Sequence, residues 1–280
     1  MINSPLRYPG GKQKTVKEIA KYIPEFKEFR EPFVGGGSVF LYLKQKYPDR
    51  TFWINDKFYD LYIFYKELQN NPQKVIEKVL HYKDYSDGKE LFLLLKDNFY
   101  KMDTLTQAAA FFVLNRITFS GTTQSGGFSK GAFEKRFTIS SIERIKKFYP
   151  FLEGVKITNS DYEDVIQKSG KDVFIFLDPP YYKAKKSMLY GKNGDLHKSF
   201  DYERLADVLK RCSHKWLMTI DNSDYIKNLF SFAYIKEWNL TYGMRIVNSQ
   251  KEKELFISNY PLKKEITLFS RFSANTQICS

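Results

Sequence analysis

The sequence predicts an α/β fold whose sheet is built from two separated parts of the chain. Short apolar runs rich in β-branched and aromatic residues, which are typical of buried strands, occur before residue 58 and again after residue 154. Between them, residues 60–116 carry apolar side chains at helical spacing. We therefore expect one α/β domain formed by residues 1–58 and 154–280, with a mainly helical domain, residues 59–153, inserted into it.

Composition limits the class of protein. The chain has 280 residues, of which 42% are hydrophobic, enough to bury a core. Its net charge of +13 and its 17% aromatic content favour a polyanionic partner, with nucleic acid first. No apolar run approaches the roughly eighteen residues of a membrane span and the N-terminus has no signal pattern, so we expect a cytoplasmic protein that does not contact membranes. The 2 cysteines and 3 histidines are too scattered for a disulfide framework or a metal site, and no metal is expected.

A turn at residues 5–12 brings a lysine beside exposed backbone amides. It reads Pro-Leu-Arg-Tyr-Pro-Gly-Gly-Lys, rigid in its first part and flexible at its end. Its Gly-Gly-Lys ending invites comparison with a phosphate-binding loop. That motif needs glycine where this chain has Leu6, and serine or threonine where it has Gln13. The phosphate-loop interpretation therefore fails.

A glycine turn follows the first predicted strand. The strand covers residues 29–34, and residues 35–37 are all glycine. A strand, a glycine turn and a helix N-terminus allow the close backbone approach that nucleoside cofactors need. A second predicted strand, residues 51–55, ends at Asp56 about twenty residues after the glycines, where such folds hold the ribose hydroxyls. The alternative is that Asp56 only caps the helix that follows.

The sequence Asp178-Pro179-Pro180-Tyr181 comes directly after another predicted strand, residues 172–177. Two prolines cannot continue a strand ladder, so Asp178 and the neighbouring carbonyls point out of the sheet, at the edge where open α/β sheets bind ligands. These groups only accept hydrogen bonds, which suits an amino group, and Tyr181 adds a flat face for stacking on a base. An ordinary turn at a strand end is the alternative.

A polar loop, residues 118–130, follows the predicted helices of the insertion. Its short donors and acceptors suit base edges, and residues 117–147 carry six Lys or Arg against two Glu, which suits phosphates. A solvated surface loop is the alternative. The candidate DNA-binding residues are Arg116, Thr122, Thr123, Gln124, Ser125, Lys130, Lys135 and Arg136.

The C-terminal part of the chain predicts a lid and more strands. Residues 183–199 are polar and basic and contain glycine, which favours a mobile lid beside the site. Residues 216–220 predict a strand, and residues 232–240 and 254–257 predict two more, paired as an antiparallel hairpin.

Six segments have counterparts, in the same order, in one family of enzymes. They are residues 6–12 (LRYPGGK), 31–40 (EPFVGGGSVF), 55–56 (ND), 159–162 (NSDY), 178–181 (DPPY) and 254–259 (ELFISN). With them the chain resembles, over nearly its whole length, the class-alpha (Dam-like) DNA adenine-N6 methyltransferases. The resemblance implies a Rossmann-like S-adenosylmethionine-dependent methyltransferase domain with an inserted, mainly helical DNA-recognition domain. It also implies a site-specific enzyme that moves the methyl group of S-adenosylmethionine to the N6 amino group of a flipped adenine in double-stranded DNA.

The resemblance implies roles for individual residues. Tyr8 and Lys12 would contact S-adenosylmethionine, and residues 32–37 would line its methionine end. Asp56 would hold its ribose, and Asp161 would accept a hydrogen bond from its adenine amino group. Asp178 would meet the target adenine, with Tyr181 stacking on it. The implied cofactor-binding residues are Tyr8, Lys12, Pro32, Phe33, Gly35, Gly37, Asp56, Asp161, Tyr162 and Asp178, and the implied catalytic residues are Asp178, Pro179, Pro180 and Tyr181.

Other classes of protein fit the sequence less well. A cytosine-C5 methyltransferase needs a Pro-Cys nucleophile, which neither cysteine offers. A cytosine-N4 enzyme usually has serine, and a protein-glutamine methyltransferase usually has asparagine, where this chain has Asp178. The non-enzymatic alternative is a DNA-binding module with a silent cofactor site, which detectable methyl transfer to DNA would exclude.

Double-stranded DNA is the expected partner, a cognate restriction endonuclease is a further candidate partner, and we expect a monomer. Family members specific for GATC carry a more basic, arginine-containing continuation after the position of Arg116, whereas residues 122–127 of this chain read TTQSGG. The recognition sequence is therefore left open.

Overall fold

A mixed sheet of seven strands organises the part of the chain that the computed structural model describes, residues 1–182, 200–239 and 253–262. The strand order is β3-β2-β1-β4-β5-β7-β6, in which β1 to β5 are parallel and β7 lies antiparallel between β5 and β6. The predicted α/β class is confirmed. The strands are β1 (Glu28–Glu31), β2 (Thr51–Asn55), β3 (Lys156–Thr158), β4 (Val173–Leu177), β5 (Lys215–Asp221), β6 (Tyr234–Asn239) and β7 (Lys253–Ser258).

The strand order reverses between β1 and β4, which are neighbours at the centre of the sheet. From β1 the chain proceeds outward to β2 and β3, whereas from β4 it proceeds in the other direction to β5. Connections that leave in opposite directions open a crevice at the carboxyl ends of the two central strands, where open α/β sheets bind ligands. The glycine turn and residues 178–181 both follow these strand ends, so the topology brings them together.

Helices flank the sheet on both faces, and most begin at a side chain that accepts a hydrogen bond from the first helical turn. Asp87, Asp103 and Asp161 are three such caps, each satisfying a backbone amide that has no partner within its helix. The α-helices are α1 (Val16–Ile19), α2 (Ser38–Lys46), α3 (Tyr59–Asn70), α4 (Pro72–Lys83), α5 (Gly88–Asn98), α6 (Thr104–Ile117), α7 (Lys130–Arg136), α8 (Ile139–Phe148), α9 (Tyr162–Gln167), α10 (Tyr202–Lys210) and α11 (Asp224–Leu229).

The first predicted strand ends earlier than expected. It was predicted over residues 29–34, but β1 stops at Glu31. Pro32 has no N–H to continue the ladder, and the amide of Val34 donates to the carbonyl of Asn55 (2.9 Å) as the chain turns towards the glycines. The C-terminal hairpin is confirmed, because β6 pairs antiparallel with β7. The predicted lid, residues 183–199, lies outside the described residues.

The helices between β2 and β3 share a core with the sheet. Phe29 and Phe52 on the strands belong to the same apolar cluster as Phe64, Phe111 and Phe148 on α3, α6 and α8. Helix α6 lies inside this cluster, since every residue from position 108 to position 117 is buried. The helices therefore pack directly on one face of the sheet, and the division into domains at residues 58 and 154 stays a prediction.

Neither a membrane span nor a metal cluster is found in the described ranges. Within residues 1–182, 200–239 and 253–262, no helix combines the length and hydropathy needed to cross a membrane. The same ranges contain no group of three or more His, Cys, Asp or Glu arranged to hold a metal ion.

Candidate active site

A cavity of about 380 Å³ lies at the carboxyl ends of β1, β2 and β4. Strand ends, the glycine turn and the 5–12 turn form its walls, and Phe33 and Phe200 add apolar surface. The structure brings together in this one cavity every residue that sequence reasoning assigned to the cofactor or to catalysis. They are Tyr8, Lys12, Pro32, Phe33, Gly35, Gly37, Asp56, Asp161, Tyr162, Asp178, Pro179, Pro180 and Tyr181.

Two glycines of the turn are required by conformation and by space. Gly35 and Gly37 have φ values of +47° and +67°, in the left-handed region that side chains disfavour. A Cβ on Gly35 would lie 2.7 Å from the ring of Tyr8, and a Cβ on Gly37 would lie 2.9 Å from the hydroxyl of Tyr65. That hydroxyl donates to the carbonyl of Gly35 (2.8 Å). The turn is therefore fixed from both sides, with the ring of Tyr8 packed directly on it.

Asp56 joins the glycine turn to the start of α3. Its Oδ2 accepts from the backbone amide of Gly35 (2.9 Å) and its Oδ1 from that of Phe58 (2.9 Å). Burial raises the pKa of Asp56 to about 6, against the opposing effect of these two hydrogen bonds. The sequence left two roles open for Asp56, ribose binding and helix capping. Its position is compatible with both, because Asp56 lines the cavity and accepts from the amide of Phe58, the residue before α3.

Glu31 is a residue of the cavity to which sequence reasoning gave no role. It is buried at the end of β1, and its Oε2 accepts from the amide of Phe40 in α2 (2.9 Å). Burial raises its pKa well above the ordinary value, and the nearby carboxylates of Asp178 and Asp56 act in the same direction. Its signal in the sequence was an acid placed at a strand end just before Pro32.

The rim of the cavity carries an ion pair between Asp161 and Arg204. Both carboxylate oxygens of Asp161 accept from the guanidinium, at 2.9 and 3.3 Å, and Oδ1 also caps α9 by accepting from the amide of Glu163 (3.0 Å). The guanidinium lies 5.0 Å from the ring centroid of Tyr162. Sequence reasoning missed Arg204, because nothing local marks a residue of α10 as a neighbour of α9.

Among the described residues Asp178 has two partners, and both use the same carboxylate oxygen. Oδ1 lies 2.8 Å from Nζ of Lys12 and accepts from the hydroxyl of Thr219 on β5 (2.8 Å). The ammonium of Lys12, only 5% exposed, also donates to the hydroxyl of Tyr181 (2.7 Å). That hydroxyl in turn donates to Oε1 of Glu254 on β7 (2.7 Å). Lys12 was expected at the cofactor; the structure shows it bound to Asp178.

The loop at residues 118–130 is a closed hairpin-like turn. Thr118 and Phe128 form an isolated antiparallel bridge, and the amide of Phe119 donates to the carbonyl of Gly127 (3.0 Å). The side chain of Asn115 donates to the carbonyls of Gly121 (3.0 Å) and Arg7 (2.7 Å). The loop is thereby fixed next to the 5–12 turn that lines the cavity.

The structure corrects the placement of three candidate DNA-binding residues. Arg116 was predicted to contact phosphates, but it is 3% exposed, donates to the carbonyl of Pro5 and lies over the ring of Phe112. Burial, together with the charges of nearby arginines, lowers its pKa to about 9. Thr123 and Gln124 are also buried, so in this arrangement neither presents its side chain to a base edge.

The other candidates remain at the surface. Thr122 and Ser125 are partly exposed, and Lys130, Lys135 and Arg136 are exposed. Phe119, which sequence reasoning did not single out, is 73% exposed at the start of the same loop, next to the bridge between Thr118 and Phe128. Its neighbour Ser120 has a φ of +54°, in the left-handed region.

Comparison with known proteins agrees with this geometry. The chain is 28% identical over 293 residues to the Type II methyltransferase M.MjaIII of Methanocaldococcus jannaschii, a match that covers 91% of this chain and 98% of that protein. It is 30% identical over 233 residues to the DNA N-6-adenine-methyltransferase of Escherichia phage P1, which covers 80% of this chain and 30% of the phage protein. It is 26% identical to the Type II methyltransferase M1.LlaDCHI of Lactococcus lactis subsp. cremoris, over 91% of this chain and 94% of that protein. Residues 8–244 match a family model, and the chain therefore belongs to the D12 class of N6 adenine-specific DNA methyltransferases.

Proposed function

We propose that this adenine-specific DNA methyltransferase uses S-adenosylmethionine and modifies an adenine that is flipped out of a defined sequence in double-stranded DNA. The observation that carries the proposal is the place of Asp178. Its carboxylate stands at the edge of the cavity, with Oδ1 engaged by Lys12 and Thr219 and with Oδ2 making no hydrogen bond within the described residues.

The cavity fits S-adenosylmethionine in size and chemistry. Phe33 and Tyr162 offer apolar faces to an adenine ring, and Asp56 offers a carboxylate to the ribose hydroxyls. The glycine turn and the ring of Tyr8 packed on it form one wall of the cavity. When bound, S-adenosylmethionine supplies an electrophilic methyl group on a positively charged sulfur. The carboxylates of Glu31, Asp56 and Asp178 all line the cavity and favour that positive charge.

Asp178 activates the amine that is methylated. The lone pair of an adenine amino group is delocalised into the ring, so the amine is a weak nucleophile. A carboxylate and the carbonyl of Pro179 that accept its two N–H bonds favour a pyramidal nitrogen, and Asp178 is positioned to take the proton that the nitrogen loses after methylation. Because Lys12 and Thr219 hold Oδ1, the carboxylate cannot rotate away from this geometry.

The target base must leave the helix before Asp178 can reach it. Flipping a base costs a few kcal/mol of unstacking, which stacking inside a pocket offsets. The ring of Tyr181 lines the cavity beside Asp178, and its hydroxyl is held at both hydrogen-bonding positions by Lys12 and Glu254. The ring is therefore oriented in advance for stacking on an extruded base.

The loop at residues 118–130 is the proposed DNA-reading element. Lys130, Lys135 and Arg136 are exposed on and just after it and suit phosphate contacts, which position a protein but carry no sequence information. Phe119 is exposed at the start of this loop, and an exposed apolar side chain on a DNA-facing loop suits insertion between base steps, which unstacks them. Thr122 and Ser125, which are partly exposed on the same loop, supply hydroxyl groups that suit base edges.

The relatives extend the proposal to a biological setting. Two of them are named Type II methyltransferases. We place the protein in the cytoplasm beside a cognate restriction endonuclease, whose cleavage its methylation would block. DNA from cells that express the protein would then resist digestion by an endonuclease of the same specificity.

Methyl transfer from labelled S-adenosylmethionine to duplex DNA tests the proposed function. The expected result is label in N6-methyladenine at one short sequence, located by modification-sensitive sequencing. Label in cytosine or in protein would contradict the proposed reaction. DNA binding without any label would support the alternative of a DNA-binding module with a silent cofactor site.

A further inference from the structure

Glu254 lies outside the lining of the cavity, beyond the hydroxyl of Tyr181. It is buried in β7, at 4% exposure, and its Oε1 accepts a hydrogen bond from the hydroxyl of Tyr181 (2.7 Å). A carboxylate is rarely buried unless a partner compensates its desolvation. Here the partner is the hydroxyl of Tyr181, a residue of the candidate active site.

A continuous series of polar contacts links Glu254 to Asp178. Tyr181 donates to Glu254, Lys12 donates to the oxygen of Tyr181 (2.7 Å), and the same ammonium lies 2.8 Å from Oδ1 of Asp178. A tyrosine hydroxyl has one proton, so a tyrosine that donates it to Glu254 must present its lone pairs to Lys12. Glu254 therefore decides which way the hydroxyl points.

We propose that Glu254 is a positioning residue of the methyl-transfer site, which anchors the hydroxyl of Tyr181 and, through it, the ammonium of Lys12 beside Asp178. The assignment rests on the proposed function. Glu254 touches neither substrate nor cofactor and acts through Tyr181 in two ways. It fixes the ring that stacks on the flipped base, and it keeps the lysine where it restrains the carboxylate.

The surroundings of Glu254 make this anchor sensitive to pH. The charged groups that face it are Lys12, Asp178 and Asp221, with the Tyr181 hydroxyl, while its cross-strand partner on β6 is Trp238. The pKa of Glu254 is raised to about 7. Burial is the main cause and the carboxylates of Asp178 and Asp221 act in the same direction, whereas Lys12 and the hydrogen bond from Tyr181 partly oppose the rise. The carboxylate form therefore prevails above about pH 7, and a hydrogen bond to a carboxylate is roughly twice as strong as one to a neutral acceptor.

The test compares single-turnover methyl transfer by the wild type and by Glu254→Gln across pH 6 to 9, at saturating S-adenosylmethionine. Glutamine keeps an oxygen that accepts from Tyr181 but has no charge, so the variant imitates the protonated enzyme. We expect a rate about ten- to a hundredfold below the wild type at pH 8, as is typical when an outer partner of a functional group is lost. In the wild type the rate should rise through pH 7 as Glu254 loses its proton, and in the variant this rise should be absent. The affinity of the variant for S-adenosylmethionine should stay within about threefold of the wild-type value.

Tyr181→Phe keeps the test decisive if the buried glutamine disturbs folding, and where the glutamine variant folds, the double variant shows whether the two residues act together. Tyr181→Phe keeps the ring and removes the hydroxyl, and it should also abolish the rise through pH 7. Because the two residues act through the same series of hydrogen bonds, the double variant should be no slower than the slower single variant. The matched control is Glu237→Gln on β6, whose carboxylate pairs with Lys227 at the surface (2.6 Å) and should leave the profile unchanged.

The outcomes separate this assignment from the proposed function. A wild type that methylates no DNA overturns the proposed function and the assignment with it. An active wild type whose Glu254→Gln variant keeps both its rate and its inflection near pH 7 overturns the assignment of Glu254 alone. Rate losses that multiply in the double variant overturn it as well.

Discussion

The backbone amide of Gly35 donates to the carboxylate of Asp56 across the floor of the cavity, at 2.9 Å. This bond and the one from Phe58 favour the charged form of Asp56, yet burial outweighs them and raises its pKa to about 6. The native state therefore binds a proton on Asp56 more tightly than the unfolded chain does. Between the ordinary pKa and about 6, rising pH removes that advantage, so this group lowers the free energy of unfolding as pH rises.

Asp56→Asn should flatten the decline in the free energy of unfolding that Asp56 causes as pH rises. The raised pKa corresponds to at most about 3 kcal/mol, spread over the range from about pH 4 to pH 6. Urea unfolding of wild type and variant at several pH values measures the slope directly. The variant also loses a hydrogen bond acceptor, which changes the baseline at all pH values, so the slope rather than the absolute stability is the test. Equal slopes would mean that Asp56 is not the group responsible.

Asp178→Ala should abolish most methyl transfer while leaving the fold and DNA binding largely in place. The carboxylate acts at the reacting amine and lies at the edge of the cavity rather than in the core. The loss of one preorganised group of this kind costs about a hundred- to a thousandfold in rate. Single-turnover kinetics with a separate binding assay measure both effects. A variant within about tenfold of the wild-type rate would remove Asp178 from the mechanism.

Lys135→Ala and Arg116→Met should behave differently, although both remove a basic residue near the loop. Lys135 is exposed, so its loss should weaken binding to all DNA sequences alike and reduce the salt slope by about 0.9 if it neutralises one phosphate. Arg116 is buried against Pro5, so its loss should lower the free energy of unfolding and leave the salt slope nearly unchanged. Binding titrations at several salt concentrations, with unfolding curves, distinguish the two. A reduced slope for Arg116→Met would show that Arg116 reaches a phosphate after all.

Phe119→Ala should reduce activity on duplex DNA more than on single strands. Its side chain is 73% exposed, so its removal costs the folded protein little, but a wedge between base steps helps only where bases are stacked in a duplex. The ratio of methylation rates on duplex and single-stranded substrates of the same sequence measures the effect. An equal reduction on both substrates would argue for a contact that does not involve unstacking.

The parallel part of the sheet and the composition of the cavity could be predicted because their signals are local. A buried strand is apolar along its whole length, and glycines or prolines mark its end, so residues 35–37 and residues 178–181 were placed at strand ends from sequence alone. The end of β1 was misjudged because Phe33 and Val34 continue the apolar run beyond Pro32. Apolar character does not reveal where a ladder stops.

The residues that hydrogen-bond to Asp178 and Tyr181 could not be predicted, because they come from distant parts of the sequence. Thr219 and Glu254 lie on strands that only the assembled sheet brings beside Asp178 and Tyr181. Arg116 was predicted to contact phosphates because it is a basic residue that flanks the polar loop. It is buried because α6 is packed on all sides and the carbonyl of Pro5 accepts from its guanidinium.

The core that the sheet shares with α3, α6 and α8 has a consequence for how new sequence preferences can arise. Phe29 and Phe52 pack within the same cluster as Phe64, Phe111 and Phe148, so α3, α6 and α8 cannot be exchanged for those of a relative without opening the core beside the sheet. Under the proposal that the loop at residues 118–130 reads DNA, replacing its exposed side chains should change the sequence preference and keep the fold. Replacing residues 59–153 as a unit should instead cause misfolding.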